Sequence, residues 1–323
     1  MRILTLSRIL TAAACLCASA AMAQAYPSKP VKVVVAFSAG GATDSFARLL
    51  ATRLQEVMGQ PFLVENKIGA NGNIGSDFVA KAAPDGYTLL LQDLGTFTSG
   101  PALYPNLPFD PLKDFTPITL LIGSPYALAV TPSLPVNSVP ELITYAKENP
   151  KLFNYAILGN GSASHLAGLE LSSRANTPFT FVAYKGGAPA LTDVVGGQAQ
   201  ALSIAMLSTY PFVKSGKLKL LAMMSKERLS FLPNVPTVAE SGFPGFVAGQ
   251  WQALYAPKGL PKDILEKLRA ESVRFVNSPE IKKRLEEQGA QVIASTPEEL
   301  AKFVSEEKAK YAKFVKEHNI KAE

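Results

Sequence analysis

An α/β fold with largely parallel sheets is predicted by strand-like apolar runs that alternate with helical patterns along the whole chain. Two stretches sharpen the prediction by repeating one layout: an apolar strand, a turn of small residues, then a helix start. The first runs from Val31-Lys32-Val33-Val34-Val35-Ala36-Phe37 into Ser38-Ala39-Gly40-Gly41-Ala42-Thr43-Asp44. The second runs from Tyr155-Ala156-Ile157-Leu158 into Gly159-Asn160-Gly161-Ser162-Ala163-Ser164-His165. Glycines let backbone amides crowd together, and a helix beginning there turns its unpaired N–H groups and positive dipole end outward. Such a terminus is an anion site, and two of them in one chain predict a clamp on a carboxylate.

Residues 1–23 read as a signal peptide. Arg2 and Arg8 form the positive segment, Ile9 to Ala21 the apolar run, and Ala21-Met22-Ala23 the cleavage site before Gln24. The run is too short to span a bilayer. Cys15 and Cys17, the only cysteines, both fall in this leader, so the mature chain is expected to be exported, free of disulfides and periplasmic. The net charge of +6 falls to +4 once Arg2 and Arg8 are removed, since no acid lies in the leader. The excess is spread along the chain, so no nucleic-acid surface is expected, only a weak attraction for anions. About 300 mature residues exceed what one core usually serves, which predicts two domains.

The elements follow in order. Phe46, Leu49, Leu50, Leu54, Val57 and Met58 fall at helical spacing, with Gly59 as the C-terminal cap. Phe62 to Glu65 reads as a strand, Gly75 to Ala83 as a short helix, and Pro84-Asp85-Gly86 as a turn into the strand Tyr87 to Leu91. Leu120-Leu121-Ile122 and Leu128-Ala129-Val130 flank Gly123-Ser124-Pro125, a crossing point into a second domain. Ser138-Val139-Pro140 opens a helix to Asn149, with proline suited to the first turn. The second glycine loop starts another α/β unit, continued by Phe179 to Ala183 and Ala190 to Val195. Leu218 to Met224 reads as a strand leading back to the first domain. Ile264 to Val276, Pro279 to Gln288 and Pro297 to His318 read as three amphipathic helices. The expected division is 24–124 with 225–323 for the first domain and 125–224 for the second.

Catalytic chemistry finds little support. His165 and His318 are the only histidines, and no H-x-x-x-H or C-x-x-C spacing exists for a metal. No G-x-S-x-G elbow occurs, so a hydrolase would have to combine His165 with a distant serine and aspartate. Gly159-x-Gly161-x-x-Ser164 lacks the third glycine of a dinucleotide fingerprint and no acid stands about 20 positions on, so no cofactor is expected. Taken singly, Asp44 and Ser164 fit helix caps, His165 a backbone partner and Trp251 a core residue.

Several ordered blocks nevertheless share one pattern. They include Tyr26-Pro27-Ser28-Lys29-Pro30, Gly40-Gly41-Ala42-Thr43-Asp44 with Ala47-Arg48, Glu65-Asn66-Lys67, and Pro84-Asp85-Gly86-Tyr87-Thr88-Leu89. Gly161-Ser162 with His165-Leu166-Ala167-Gly168, Tyr184-Lys185-Gly186-Gly187-Ala188-Pro189-Ala190 and Asn234-Val235-Pro236-Thr237-Val238-Ala239-Glu240 continue it. Together they resemble the receptors of tripartite tricarboxylate transporters, the Bug extracytoplasmic solute receptors, over nearly the full length. The resemblance implies a type II periplasmic-binding-protein fold, in which two α/β domains joined by crossing strands close on a ligand. It implies a small organic carboxylate as ligand, integral-membrane transporter subunits as partners, and a monomeric receptor, with a ligand sensor as the alternative. The site it implies comprises Phe37, Ser38, Ala39, Gly40, Gly41 and Asp44 on one side and Asn160, Gly161, Ser162, Ser164 and His165 on the other. Gly95, Thr96 and Tyr184 line the same cleft by analogy. Ile204-Ala205 stand where many relatives carry an Asp-Asn pair. With Phe97 and Trp251 expected near the cleft, they point to an apolar-bodied ligand, aromatic or long aliphatic.

Overall fold

The computed structural model describes residues 26–104, 106–317 and 320; the expected leader at 1–23, with its cysteines, and His318 lie outside the described residues. The first lobe begins with β1 (Val31–Val35), α1 (Ala42–Met58), β2 (Phe62–Asn66), α2 (Asn73–Ala80) and β3 (Thr88–Asp93). Strand β1 sits between β2 and β3, parallel to both, the signature of right-handed βαβ crossovers. Its valines are fully or nearly fully buried, and Phe46, Leu50 and Leu54 on one face of α1 pack with Val31, Val33 and Val35 into the same core. Two single turns, α3 (Gly95–Thr98) and α4 (Gly100–Leu103), follow β3.

One long strand, β4 (Phe115–Val130), then carries the chain across. Its first half pairs antiparallel with β9 (Gly249–Pro257) and its second half with β7 (Ala201–Ala205) and β8 (Lys219–Met223). The expected crossing at Gly123-Ser124-Pro125 is thus the middle of one unbroken strand, where Gly123↔Trp251 and Pro125↔Gly249 are still in register. The sheets are therefore mixed: parallel within each lobe, antiparallel at the crossing.

The second lobe adds α5 (Val139–Glu148), β5 (Asn154–Ile157), α6 (Ala163–Arg174), β6 (Thr180–Ala183), α7 (Gly187–Val195) and α8 (Met206–Lys214). Strand β5 lies parallel to both β6 and β7. Helix α5 starts as expected: Ser138 accepts from the Glu141 amide at 3.3 Å while Glu141 accepts from the Asn137 amide at 2.7 Å. That reciprocal pair satisfies two donors that a helix start otherwise leaves open.

Two boundaries differ from expectation. The strand 219–223 does not lead back; it stays in the second lobe, antiparallel to β4. The chain returns through β9. Residues 225–248 pack on the second lobe, because Val238, Phe246 and Ala248 share its core with Tyr126, Phe153 and Tyr155. Helices α9 (Lys262–Val276), α10 (Pro279–Glu286) and α11 (Pro297–Glu317) complete the first lobe, with the short β10 (Gln291–Val292) beside β4. The last turns of α11 reach across, where Val315 joins Leu103 of the first lobe and Leu166 of the second.

Candidate ligand-binding cleft

The two lobes meet face to face beside the crossing strands and enclose two adjoining cavities. The inner one is small and is lined by Phe37, Gly41, Ala42, Thr43, Leu158, Gly187, Ile204, Ser208 and Gln250. The outer one, about 230 Å³, is bounded by Phe37, Leu158, the loop 69–72, Tyr104, Gly159-Asn160 and Ala183-Tyr184-Lys185. Phe37 and Leu158 belong to both and form the neck between them.

Helix starts determine the polarity of the inner cavity. Helix α1 begins after Gly41, which offers no side-chain cap, so the first-turn amides of Ala42 and Thr43 retain donor capacity toward the cavity they line. Helix α7 begins after Gly186, also without a side-chain cap. Its Gly187 amide nitrogen lies 3.8 Å from where a Gly41 side chain would begin. Two uncapped termini, one from each lobe, therefore converge. Helix α6, the terminus expected to form the second jaw, is closed by its own residues. Ser162 Oγ accepts from the His165 amide at 3.2 Å, and the Gly161 amide donates to His165 Nδ1 at 3.0 Å. The Ser162 amide is bonded to Gly159 O at 3.1 Å. The uncapped helix start facing α1 is that of α7, and a glycine there leaves donors unspent where a serine consumes one. We expect Ser162→Ala to cost about 1 kcal/mol of stability through loss of this cap, read as a Tm lower by a few degrees without ligand. An unchanged Tm would show that the cap contributes nothing.

Among the expected site residues, Phe37, Gly41, Asn160, Tyr184 and Ile204 line the cavities. The others form their supports. Asp44, buried, accepts from the Gly40 amide at 2.8 Å, from Arg48 Nε and Nη2 at 3.0 Å and from Asn66 at 2.9 Å. Burial alone would raise its pKa; the Arg48, Gly40 and Asn66 hydrogen bonds prevail and hold the carboxylate below its ordinary range. Asp44 thus fixes the 38–41 turn and is not directed at a ligand. Ser38 and Ala39 complete that turn, with a Gly41 amide to Ser38 O bond of 3.3 Å. Thr96 Oγ1 donates to Asn71 O at 2.9 Å and pins the loop of the outer cavity, while Gly95 packs against Ala163. Ser164 Oγ accepts from the Leu158 amide at 2.9 Å. Ala205 precedes α8 and receives the Ser208 and Thr209 hydroxyls on its carbonyl. Tyr184 donates to Asp193 at 2.8 Å, and burial together with that carboxylate pushes its phenol up to about 12. His165, driven down to about 4 by burial, is neutral at pH 7, and its acceptor nitrogen is already occupied.

Two aromatic residues expected at the cleft are elsewhere. Trp251 alternates with Gln250 along β9, so it faces the opposite side of the sheet, against Phe303 at 5.4 Å. There it lines a concavity of about 700 Å³, formed at the back of the crossing strands with Pro125, Phe231 and Ile293. That groove lacks the converging helix starts. Phe97 is fully buried among Phe115, Tyr255 and Phe109, at 4.8, 5.1 and 5.8 Å.

The cavities also use residues that sequence reading missed: Leu158, Gly187, Ser208 and Gln250 within, Asn71, Tyr104 and Lys185 outside. Gly187 was accessible in principle, because Phe181 to Gly187 repeats the strand–glycine–helix layout a third time. Asn71 Nδ2 is buried and has no hydrogen-bond partner among the described residues, beside the outer cavity that Asn71 lines.

Lobes that bury a solute between them and release it by parting are the working parts of a solute-binding receptor of the periplasmic type, and solved receptors of that type superpose closely on this chain. They include R. palustris Rpa4515 with adipate, 34% identical, TM-score 0.89, spanning 92% of this chain and 99% of that one. MatC from Rhodopseudomonas palustris with bound malate is 36% identical, TM-score 0.85, spanning 90% and 100%. Within this class the chain belongs to the tripartite tricarboxylate transporter family of receptors, whose model matches residues 46–320. Protein BugT of Bordetella pertussis is 36% identical over 300 residues, 93% of this chain and 92% of its own length.

Proposed function

We propose that this protein is a periplasmic receptor that captures a linear dicarboxylate with an unsubstituted carbon body and delivers it, as a monomer, to integral-membrane transporter subunits. One observation carries the reading: uncapped helix starts from opposite lobes converge on a cavity whose remaining wall is apolar at Phe37, Leu158 and Ile204 and polar at Ser208 and Gln250. One carboxylate accepts from the Ala42, Thr43 and Gly187 amides, and each hydrogen bond to a charged group contributes about 1.5–3 kcal/mol. The carbon body passes the Phe37–Leu158 neck. The second polar end meets Asn71, Asn160 and the Lys185 side of the outer cavity.

The apolar inner wall agrees with the ligand type expected from Ile204. The displacement of Phe97 and Trp251 removes the argument for a stacked aromatic ring, so the aliphatic form of that expectation is favoured. A hydroxyl or ammonium group placed against Ile204 and Leu158, on the side away from Ser208 and Gln250, would lose its water without a partner, at a cost of about 1–3 kcal/mol. The adipate and malate seen with two relatives bracket the choice. Thermal shift and isothermal titration against adipate, malate, glutamate, benzoate and terephthalate test it. Adipate should raise Tm most, since a ligand at 100 times its Kd stabilises by about 2.7 kcal/mol. Tighter binding of malate or glutamate, or no response to any carboxylate, would overturn the reading.

A further inference from the structure

We propose that Asp93 is a positioning residue that sets the hydrogen-bond polarity of the inner cavity by holding the Gln250 amide in one orientation. The proposal rests on the carboxylate reading above.

Gln250 lines the inner cavity from the crossing strand β9, beside Thr43 of α1. Its Nε2 donates to Asp93 Oδ2 at 2.7 Å and to Thr43 Oγ1 at 3.1 Å. Asp93, 4% exposed, ends β3 and also accepts from the Gly95 amide at 3.0 Å. An ionised carboxylate only accepts, so it compels Gln250 to turn its NH₂ group inward. The second hydrogen of that group then falls on Thr43 Oγ1. A hydroxyl that accepts there is free to send its own proton elsewhere, and Thr43 lines the cavity. Asp93 thus makes Thr43 a donor to an anion that Asp93 itself never touches.

A neutral amide in place of the Asp93 carboxylate reverses each step. The side chain introduced by Asp93→Asn would keep accepting from Gly95 and would present its own NH₂ to Gln250. Gln250 would turn its Oε1 inward, the Thr43 proton would be drawn to that oxygen, and the cavity would face lone pairs. A ligand carboxylate is repelled by such an arrangement, whereas a carboxamide is tolerated.

The side chains that face Asp93 are neutral ones. Gln250 faces it from β9, Tyr126 from β4 and Tyr311 from α11, and burial pushes both phenols well above their ordinary range. The start of α6 is close as well: Asp93 Oδ1 and the Ala163 amide nitrogen lie 3.4 and 3.5 Å from where a Gly95 Cβ would stand. His165, in that first turn, is kept neutral by burial. Burial also moves Asp93 itself up to about 6, so it is the group of this cluster that titrates just below neutrality.

The experiment compares adipate with its monoamide by isothermal titration in the wild type, Asp93→Asn, Thr43→Val and the double variant at pH 7.5. Asp93→Asn should cost adipate at least about tenfold in affinity and the monoamide much less, so that the preference for adipate collapses. On the Thr43→Val background, which has no hydroxyl to direct, Asp93→Asn should leave the preference unchanged. Equal losses for both ligands, or an undiminished effect in Thr43→Val, would overturn the proposal. Without ligand, the Gln250 side-chain amide resonances should shift in step with the Asp93 carboxyl carbon as pH passes about 6. Independence of the two signals would also overturn it. That readout does not require adipate to be the ligand, so it separates failure of this inference from failure of the carboxylate reading.

Discussion

Replacing Gly186 by alanine is expected to weaken ligand binding by about 10- to 100-fold, through obstruction of lobe closure. Gly186 precedes α7 with φ +131° and ψ −177°, a backbone region that residues with a side chain rarely adopt. A Cβ there would collide with Ser38 Oγ and crowd Ser38 N and Cβ, all in the opposite lobe. The two costs differ in kind. Backbone strain of about 1–3 kcal/mol acts whether the lobes are open or closed and lowers Tm. The collision, of about the same size, exists only when the lobes meet and therefore acts on ligand affinity. Adding Ser38→Ala, which removes the nearest atom, should recover much of the affinity but none of the Tm. An unchanged Kd for Gly186→Ala would mean that ligand binding does not require this contact between lobes.

The second large effect concerns Asp93 and has the opposite sign for stability. Burial moves its carboxyl from 3.8 to about 6, against the opposing hydrogen bonds from Gly95 and Gln250. A raised carboxyl pKa means that the folded chain binds the proton more tightly than the unfolded one. Stability from this group is then greatest at acid pH, falls as pH rises from about 4 to about 6, and stays reduced above that. The ionisation cost at pH 7.5 is of the order of 3 kcal/mol. Asp93→Asn should remove it and raise Tm by several degrees at pH 7.5, with little difference from the wild type at pH 4. A variant with the same Tm difference at both values would show that the Asp93 charge carries no such cost. A residue that destabilises the fold yet orients Gln250 fits a site retained for binding at the expense of stability.

How much of this was legible beforehand depended on the range of the interaction. The α1 start was read from residues 31–44 because a buried strand, a glycine turn and an amphipathic helix are all set within one short segment. The Ser138 cap was legible for the same reason. The α6 start was legible as a helix terminus, but its closure by Ser162 and His165 was not. Ser164 was read as the cap, whereas Ser162 is the capping residue and Ser164 accepts from the Leu158 amide. Trp251 and Phe97 were misplaced because single aromatic residues carry no sign of which sheet face they occupy; β9 itself was not seen in advance, and its alternation decides the matter.

By itself, then, the sequence determined the alternating α/β lobes, the crossing at Gly123-Ser124-Pro125, the receptor family, and the glycine turn that starts α1. Periodicity, glycine turns and caps act over a few residues, and a family pattern is a record of many such segments. Only the tertiary structure decided that the uncapped start of α7 faces that of α1, that residues 225–248 pack on the second lobe, and that Thr43, Asp93 and Gln250 form one network. Gln250 is 207 positions from Thr43 and 157 from Asp93. Nothing in their local sequences marks them as partners. They meet because β9 returns between β3 and β4, and that pairing is fixed by the burial of whole sheet faces, not by any short segment of chain.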